Sequence, residues 1–70
     1  MNVDIKLLQE KIIAEAEVKN VRQAILWLAE KIEMNQYTLR GKVYGYRRFD
    51  ICELKQIADI LDCTMEQLLK

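Results

Sequence analysis

The sequence predicts an all-α fold: a compact bundle of five short helices forming one domain over residues 1–70. Three observations carry that expectation. There is no Pro, only two Gly and one Phe, a composition that favours helices over a sandwich of strands. Apolar side chains recur three and four residues apart in successive segments, the spacing that gathers them on one helix face. Capping signals punctuate those segments: Asn20 with Gln23, Asp50 with Glu53 and Thr64 with Gln67 each pair an N-cap type with Glu or Gln three residues later.

The first helix spans Asp4 to about Glu17, with Ile5, Leu8 and Ile12 on its inner face, Ile13 and Ala16 beside them, and Lys6, Gln9, Glu10 and Glu15 on the other side. A turn at Val18-Lys19-Asn20 leads to the second helix, about Val21 to Ile32. Its stripe is the strongest in the chain: Val21, Ala24, Ile25, Leu28, Ala29 and Ile32 share one narrow sector. Leu26 and Trp27 flank that stripe, Trp27 at about 130° from its centre. A Trp in such a place either packs against a neighbouring helix or forms part of an exposed patch that binds something.

A third helix opens at Asn35, whose side-chain oxygen suits the free N–H groups of a first turn. Met34 and Leu39 have the spacing of a hydrophobic staple, and Leu39 and Val43 lie on one face. Gln36, Tyr37, Arg40 and Gly41 then point outward, and Gly45 stands just past the end, where positive φ is wanted. A helix, a turn of about three residues and another helix make a helix-turn-helix at about 21–45. Tyr46-Arg47-Arg48-Phe49 forms the next loop. Asp50 opens a fourth helix with Leu54, Ile57, Ala58 and Leu61 inward and a Phe49–Leu54 staple, and Thr64 opens a short fifth that ends in Leu68 and Leu69.

Composition narrows the function. Half the residues (51%) are apolar and 31% are charged, which is globular rather than disordered. No apolar run approaches bilayer length and no leader core is present, so a cytoplasmic location without membrane association is expected. Cys52 and Cys63 are the only cysteines and there is no His, too few ligands for a zinc site; they are expected to be reduced structural thiols. No nucleophile–base constellation stands out, so neither catalysis nor a metal or cofactor is expected. Net charge is zero, but it is unevenly spread. Arg40, Lys42, Arg47 and Arg48 lie between Met34 and Phe49 with no acidic residue among them, leaving seven basic against eleven acidic residues elsewhere. A basic segment in an acidic body suits one phosphate-facing surface. Gln and Arg on an exposed helix face can form the two-pronged bonds that reading base edges requires.

Leu28-Ala29-Glu30-Lys31-Ile32, Thr38-Leu39-x-x-Lys42-Val43-x-Gly45, Phe49-Asp50-x-x-Glu53-Leu54-x-x-Ile57-Ala58-x-x-Leu61 and Thr64-x-x-x-Leu68-Leu69 stand in an order and spacing that resembles the Cro/repressor-type helix-turn-helix domains of bacterial and phage regulators. The likeness is close over Leu28 to Leu69 and rests on helix count before that. It implies a lambda-repressor-like five-helix bundle whose third helix enters the major groove of a double-stranded operator, often as a homodimer regulating transcription. On that resemblance Gln36, Tyr37, Arg40 and Gly41 occupy base-reading positions. Asn35, Thr38, Lys42, Arg47 and Arg48 are placed to meet phosphates, where cations position a protein without reading sequence.

Three departures from the family pattern accompany the likeness. Gly41 brings no side chain to a reading position. Glu33 and Asp62 stand where the family often has a turn Gly, which implies strained positive φ. The start of the second helix, Ala24-Ile25-Leu26-Trp27, lacks the usual polar donor to phosphate. That last feature supports an alternative in which the same fold acts as an anti-repressor or co-regulator, docking a partner repressor protein through Leu26 and Trp27.

Overall fold

The computed structural model describes residues 2–70. Four α-helices follow in order, α1 (Ile5–Ala16), α2 (Val21–Ile32), α3 (Gln36–Val43) and α4 (Ile51–Ile60), and then a single 3-10 turn, Glu66–Leu68. No strand occurs among the described residues. The helix starts fall where the capping residues predict. Asp4 accepts from the Leu7 N–H, Asn20 from Gln23, Asn35 from Tyr37 and Thr38, and Asp50 from Glu53. The box closes both ways at Asp50, whose own N–H donates to Glu53 at 3.0 Å. At Asn20 the return arm reaches one residue further back than expected, so that Gln23 Oε1 accepts from the Lys19 N–H.

The helix ends share one device. A left-handed residue follows each end: Glu17 (φ 56°) and Glu33 (54°) directly after α1 and α2, Gly45 (87°) and Asp62 (53°) two residues after α3 and α4. The following N–H turns back to the carbonyl five residues earlier, Val18 to Ile13 (3.3 Å), Met34 to Ala29 (3.0 Å), Tyr46 to Gly41 (2.8 Å) and Cys63 to Ala58 (3.0 Å). These bonds satisfy carbonyls that the helix leaves free. Glu33 and Asp62 thus adopt the conformation implied by their place in the turns, and Glu17 is a third case. Left-handed backbone costs an L-residue about 1–2 kcal/mol. At those three ends the next residue, Val18, Met34 or Cys63, packs against the core and offsets the strain.

The expected fifth helix is corrected. The Thr64–Gln67 box forms, with Thr64 N–H on Gln67 Oε1 and Gln67 N–H on Thr64 Oγ1. Only one 3-10 turn follows it, because Leu69 goes extended and pairs with Val3 in an isolated antiparallel bridge. Asp4 N–H donates to Leu68 O at 2.8 Å and Lys70 N–H to Asn2 O at 2.9 Å, so residues 68–70 are held against residues 2–4 and do not continue as a helix.

The second helix packs against α1, α3 and α4, and α1 also touches α3. Leu8 and Ile12 of α1, Leu28 of α2, Leu39 and Val43 of α3, Leu54 and Ile57 of α4 and Leu68 are fully buried in one cluster. Each such side chain contributes roughly 1.5–3 kcal/mol by leaving water. Gln9, expected on the outer side of α1, is instead half-buried, and its Nε2 donates to Val43 O at 3.1 Å, tying α1 to the end of α3. Trp27 is half-buried and packs against the core, with Lys31 Nζ 5.8 Å from its ring centroid.

Two stability outcomes follow from these contacts. Glu33→Gly relieves about 1–2 kcal/mol of backbone strain and loosens the unfolded chain by about 0.4–1 kcal/mol, so thermal melts should show a gain of up to about 1 kcal/mol. A loss in its place would mean that Glu33 is not left-handed in solution. Trp27→Ala should cost about 1–3 kcal/mol in a chemical melt, below the range for a fully buried Trp; a change within 0.5 kcal/mol, about the size of an ordinary surface substitution, would place the indole in solvent.

Candidate nucleic-acid interface

The third helix presents two unlike faces. Leu39 and Val43 are fully buried, while Gln36, Tyr37 and Arg40 are exposed and Gly41 lies between those extremes. The reason is local. Asn35 Oδ1 accepts from the N–H groups of Tyr37 (2.8 Å) and Thr38 (3.3 Å), which fixes where the helix begins and therefore which side chains face outward. Asn35 keeps its amide N–H₂ for another acceptor. Thr38 is half-buried on the flank of the helix.

Arg40 is oriented by an aromatic pair. Its guanidinium carbon lies 5.8 Å from the Tyr44 ring centroid, and the Tyr44 and Tyr46 rings stack with centroids 6.5 Å apart. The cation–π contact steers the guanidinium without consuming its hydrogen-bond donors. Beside Arg40 a groove of about 310 Å³ separates α3 from the start of α2, with Arg22, Leu26, Gln36 and Tyr37 on its walls. The exposed Arg22, outside the Ala24-Ile25-Leu26-Trp27 stretch, brings a guanidinium to this groove. It stands in the first turn of α2, three residues before Ile25, and faces α3 across the groove.

On the opposite flank, Arg47 and Arg48 are exposed in the loop after α3, where they line a second open concavity together with Lys70. Lys42 behaves differently from the other cations. Its Nζ sits 2.5 and 2.6 Å from the two carboxylate oxygens of Glu53, and only 13% of its side chain is exposed. Glu53 is itself held by the Asp50 cap, so Lys42 locks α3 to the start of α4. Leu26 is 44% exposed on the groove wall, whereas its neighbour Trp27 is turned towards the core. Tyr44 and Tyr46, 39% and 85% exposed, are surface aromatics that the sequence reading did not single out. Both free cysteines lie away from this surface on α4 and just after it, and no metal-ligand group occurs among the described residues.

The outer face of α3 is polar and lies between Arg22 on one side and Arg47 and Arg48 on the other. The chain matches the family model of the Cro/C1-type HTH DNA-binding domain over residues 6–70. It belongs to that family. No curated protein and no solved structure matches it. As a Cro/C1-type domain the protein is a DNA-binding regulator of the helix-turn-helix kind, with α2 and α3 as the two helices of the motif. No helix among the described residues is long and apolar enough to cross a membrane.

The ion pair separates Lys42 from its neighbours in a measurable way. Each phosphate neutralised by a protein cation contributes about −0.9 to the slope of log affinity against log salt on duplex DNA. Lys42→Met should leave that slope unchanged and lower thermal stability, because it strands the Glu53 carboxylate. A slope made shallower by about one unit would show that Lys42 abandons Glu53 for phosphate in the complex.

Proposed function

We propose that the protein is a sequence-specific operator-binding regulator of the phage and bacterial repressor type that acts by laying α3 in the major groove. The observation that carries this reading is the outer face of α3: Gln36, Tyr37 and Arg40 exposed together on a helix fixed at both ends. Arg40 pairs with a guanine edge, and Gln36 with adenine, as their two-pronged donor and acceptor geometry suits. Tyr37 and Leu26 supply apolar contact along the groove wall. Asn35, Thr38, Arg22 and Arg48 meet backbone phosphates on either side and set the register.

The acting unit is a homodimer. The eight residues of α3 span about 12 Å, enough for a half-site only. Two copies must lie about one helical turn apart to read a palindrome. Bound there, the dimer occludes the operator, which makes repression the expected sign of regulation.

The reading in which a partner repressor docks on Leu26 and Trp27 loses half its surface, since Trp27 packs against the core. Leu26 alone is a small anchor, and it shares a groove with four of the DNA-facing side chains, Arg22, Gln36, Tyr37 and Arg40.

Duplex binding at two salt concentrations tests the proposal. Affinity should fall linearly in log salt. Arg40→Ala should lower affinity for the selected site by about 1–3 kcal/mol and relax preference at one base pair, and Arg22→Ala should weaken all duplexes alike. No salt dependence, together with no effect of either variant, would remove the DNA role of this face.

A further inference from the structure

The gap that Gly41 leaves on the reading face is filled from outside the helix. A Cβ built on Gly41 would lie 3.4 Å from Arg47 Cδ, 3.5 Å from Cγ and 3.8 Å from Nε. The stem of Arg47 therefore crosses α3 where a side chain of residue 41 would begin, and its guanidinium starts just beyond. The backbone anchors it there. Gly41 O accepts from both the Tyr46 N–H (2.8 Å) and the Arg47 N–H (3.2 Å), so residue 47 is fastened to the helix and does not swing with a free loop. The side chain is exposed, and the ion pair found among the described residues, Lys42 with Glu53, does not involve it.

We propose that Arg47, not a residue of α3, reads the base pair facing position 41, and that the base it selects is guanine. This rests on the major-groove placement of α3 proposed above, and it removes Arg47 from the set of phosphate contacts. The chemistry favours reading. An Arg whose stem is seated and whose backbone is fixed delivers its planar fork at a defined place, and the fork matches the paired acceptors of guanine O6 and N7. Arg48, next in the chain and without such a seat, stays available for phosphate. A Cβ at residue 41 would sit in ordinary contact with the Arg47 stem, and only a longer side chain there would compete with that stem for its place.

The test is selection from a randomised duplex library with the wild type, followed by affinities for the selected site and its single-base variants. Arg47→Lys keeps the charge but not the fork. It should keep the salt slope and lose discrimination at one guanine-containing pair by about tenfold or more, with an unchanged circular-dichroism melt. Gly41→Leu, which keeps Arg47 and occupies its seat, should disturb the same pair. Arg40→Ala should disturb a different pair, which establishes the major-groove reading independently of Arg47. If Arg47→Lys discriminates among the variants as the wild type does, while Arg40→Ala does not, Arg47 is a phosphate contact and the proposal is overturned. If the wild type selects no sequence at all, the placement of α3 fails and the proposal fails with it.

Discussion

The fold depends on one backbone interaction repeated at four places, the bond from the residue after a left-handed turn residue to a carbonyl five residues earlier. It answers two needs at once. The last carbonyls of a helix have no partner within it, and a bundle with short connections must turn its chain sharply. The price is a left-handed residue at each turn, and three of the four are acidic, Glu17, Glu33 and Asp62. The molecule keeps these strained residues because the side chain that follows each one is drawn into the core. At Glu33 this has a direct bearing on the motif. Only Glu33, Met34 and Asn35 separate α2 from α3, so the direction of α3 is set by that single reversal and by the Asn35 cap.

The end of α3 uses the same device for a different purpose. Its left-handed residue is Gly45, and Tyr46, which follows it, is 85% exposed where its counterparts at the other ends are half-buried. The reversal there opens outward and sets Arg47 and Arg48 beside the reading face. Two other contacts brace this end of α3: Gln9 from α1 on the Val43 carbonyl, and Glu53 from α4 on the Lys42 ammonium. Exposed ion pairs contribute little to stability on average. This one is mostly shielded from water and has one partner already fixed by a cap, so its main effect is to hold the helix in one pose.

Much of this was legible in the sequence, and the misses have specific causes. Helix starts were readable at Asn20, Asn35 and Asp50, which carry the capping chemistry in their own side chains, whereas the Asp4 cap gave no such signal. The positive φ of Glu33 and Asp62 followed from their position relative to a family pattern, not from residue type, which is why Glu17 escaped notice. The final helix was misread because its local signal is real, while the competing interaction comes from Val3 at the other end of the chain. Arg22 was overlooked because helical periodicity relates it only to the stripe of its own helix, whereas its importance comes from α3 lying alongside. The Lys42–Glu53 pair and the Arg47–Gly41 contact fail to show for the same reason: they join residues on different elements. Tyr44 and Tyr46 matter through a stack that exists only after the chain reverses at Gly45.

The pairing of Val3 with Leu69 has a consequence for how the molecule opens and closes. With the neighbouring Asn2–Lys70 bond it links residues far apart in a chain whose other contacts are mainly local, so the loop it closes is long. Closure entropy rises only slowly with loop length, by about 0.6 kcal/mol per doubling, but it must be met before this contact returns anything. The bridge is therefore expected to form late, once docked helices have brought its two sides together. Asp4 belongs to both the bridge and the cap of α1, since its N–H reaches Leu68 and its carboxylate reaches Leu7. Fraying of the chain ends and fraying of the first turn of α1 are thus one event.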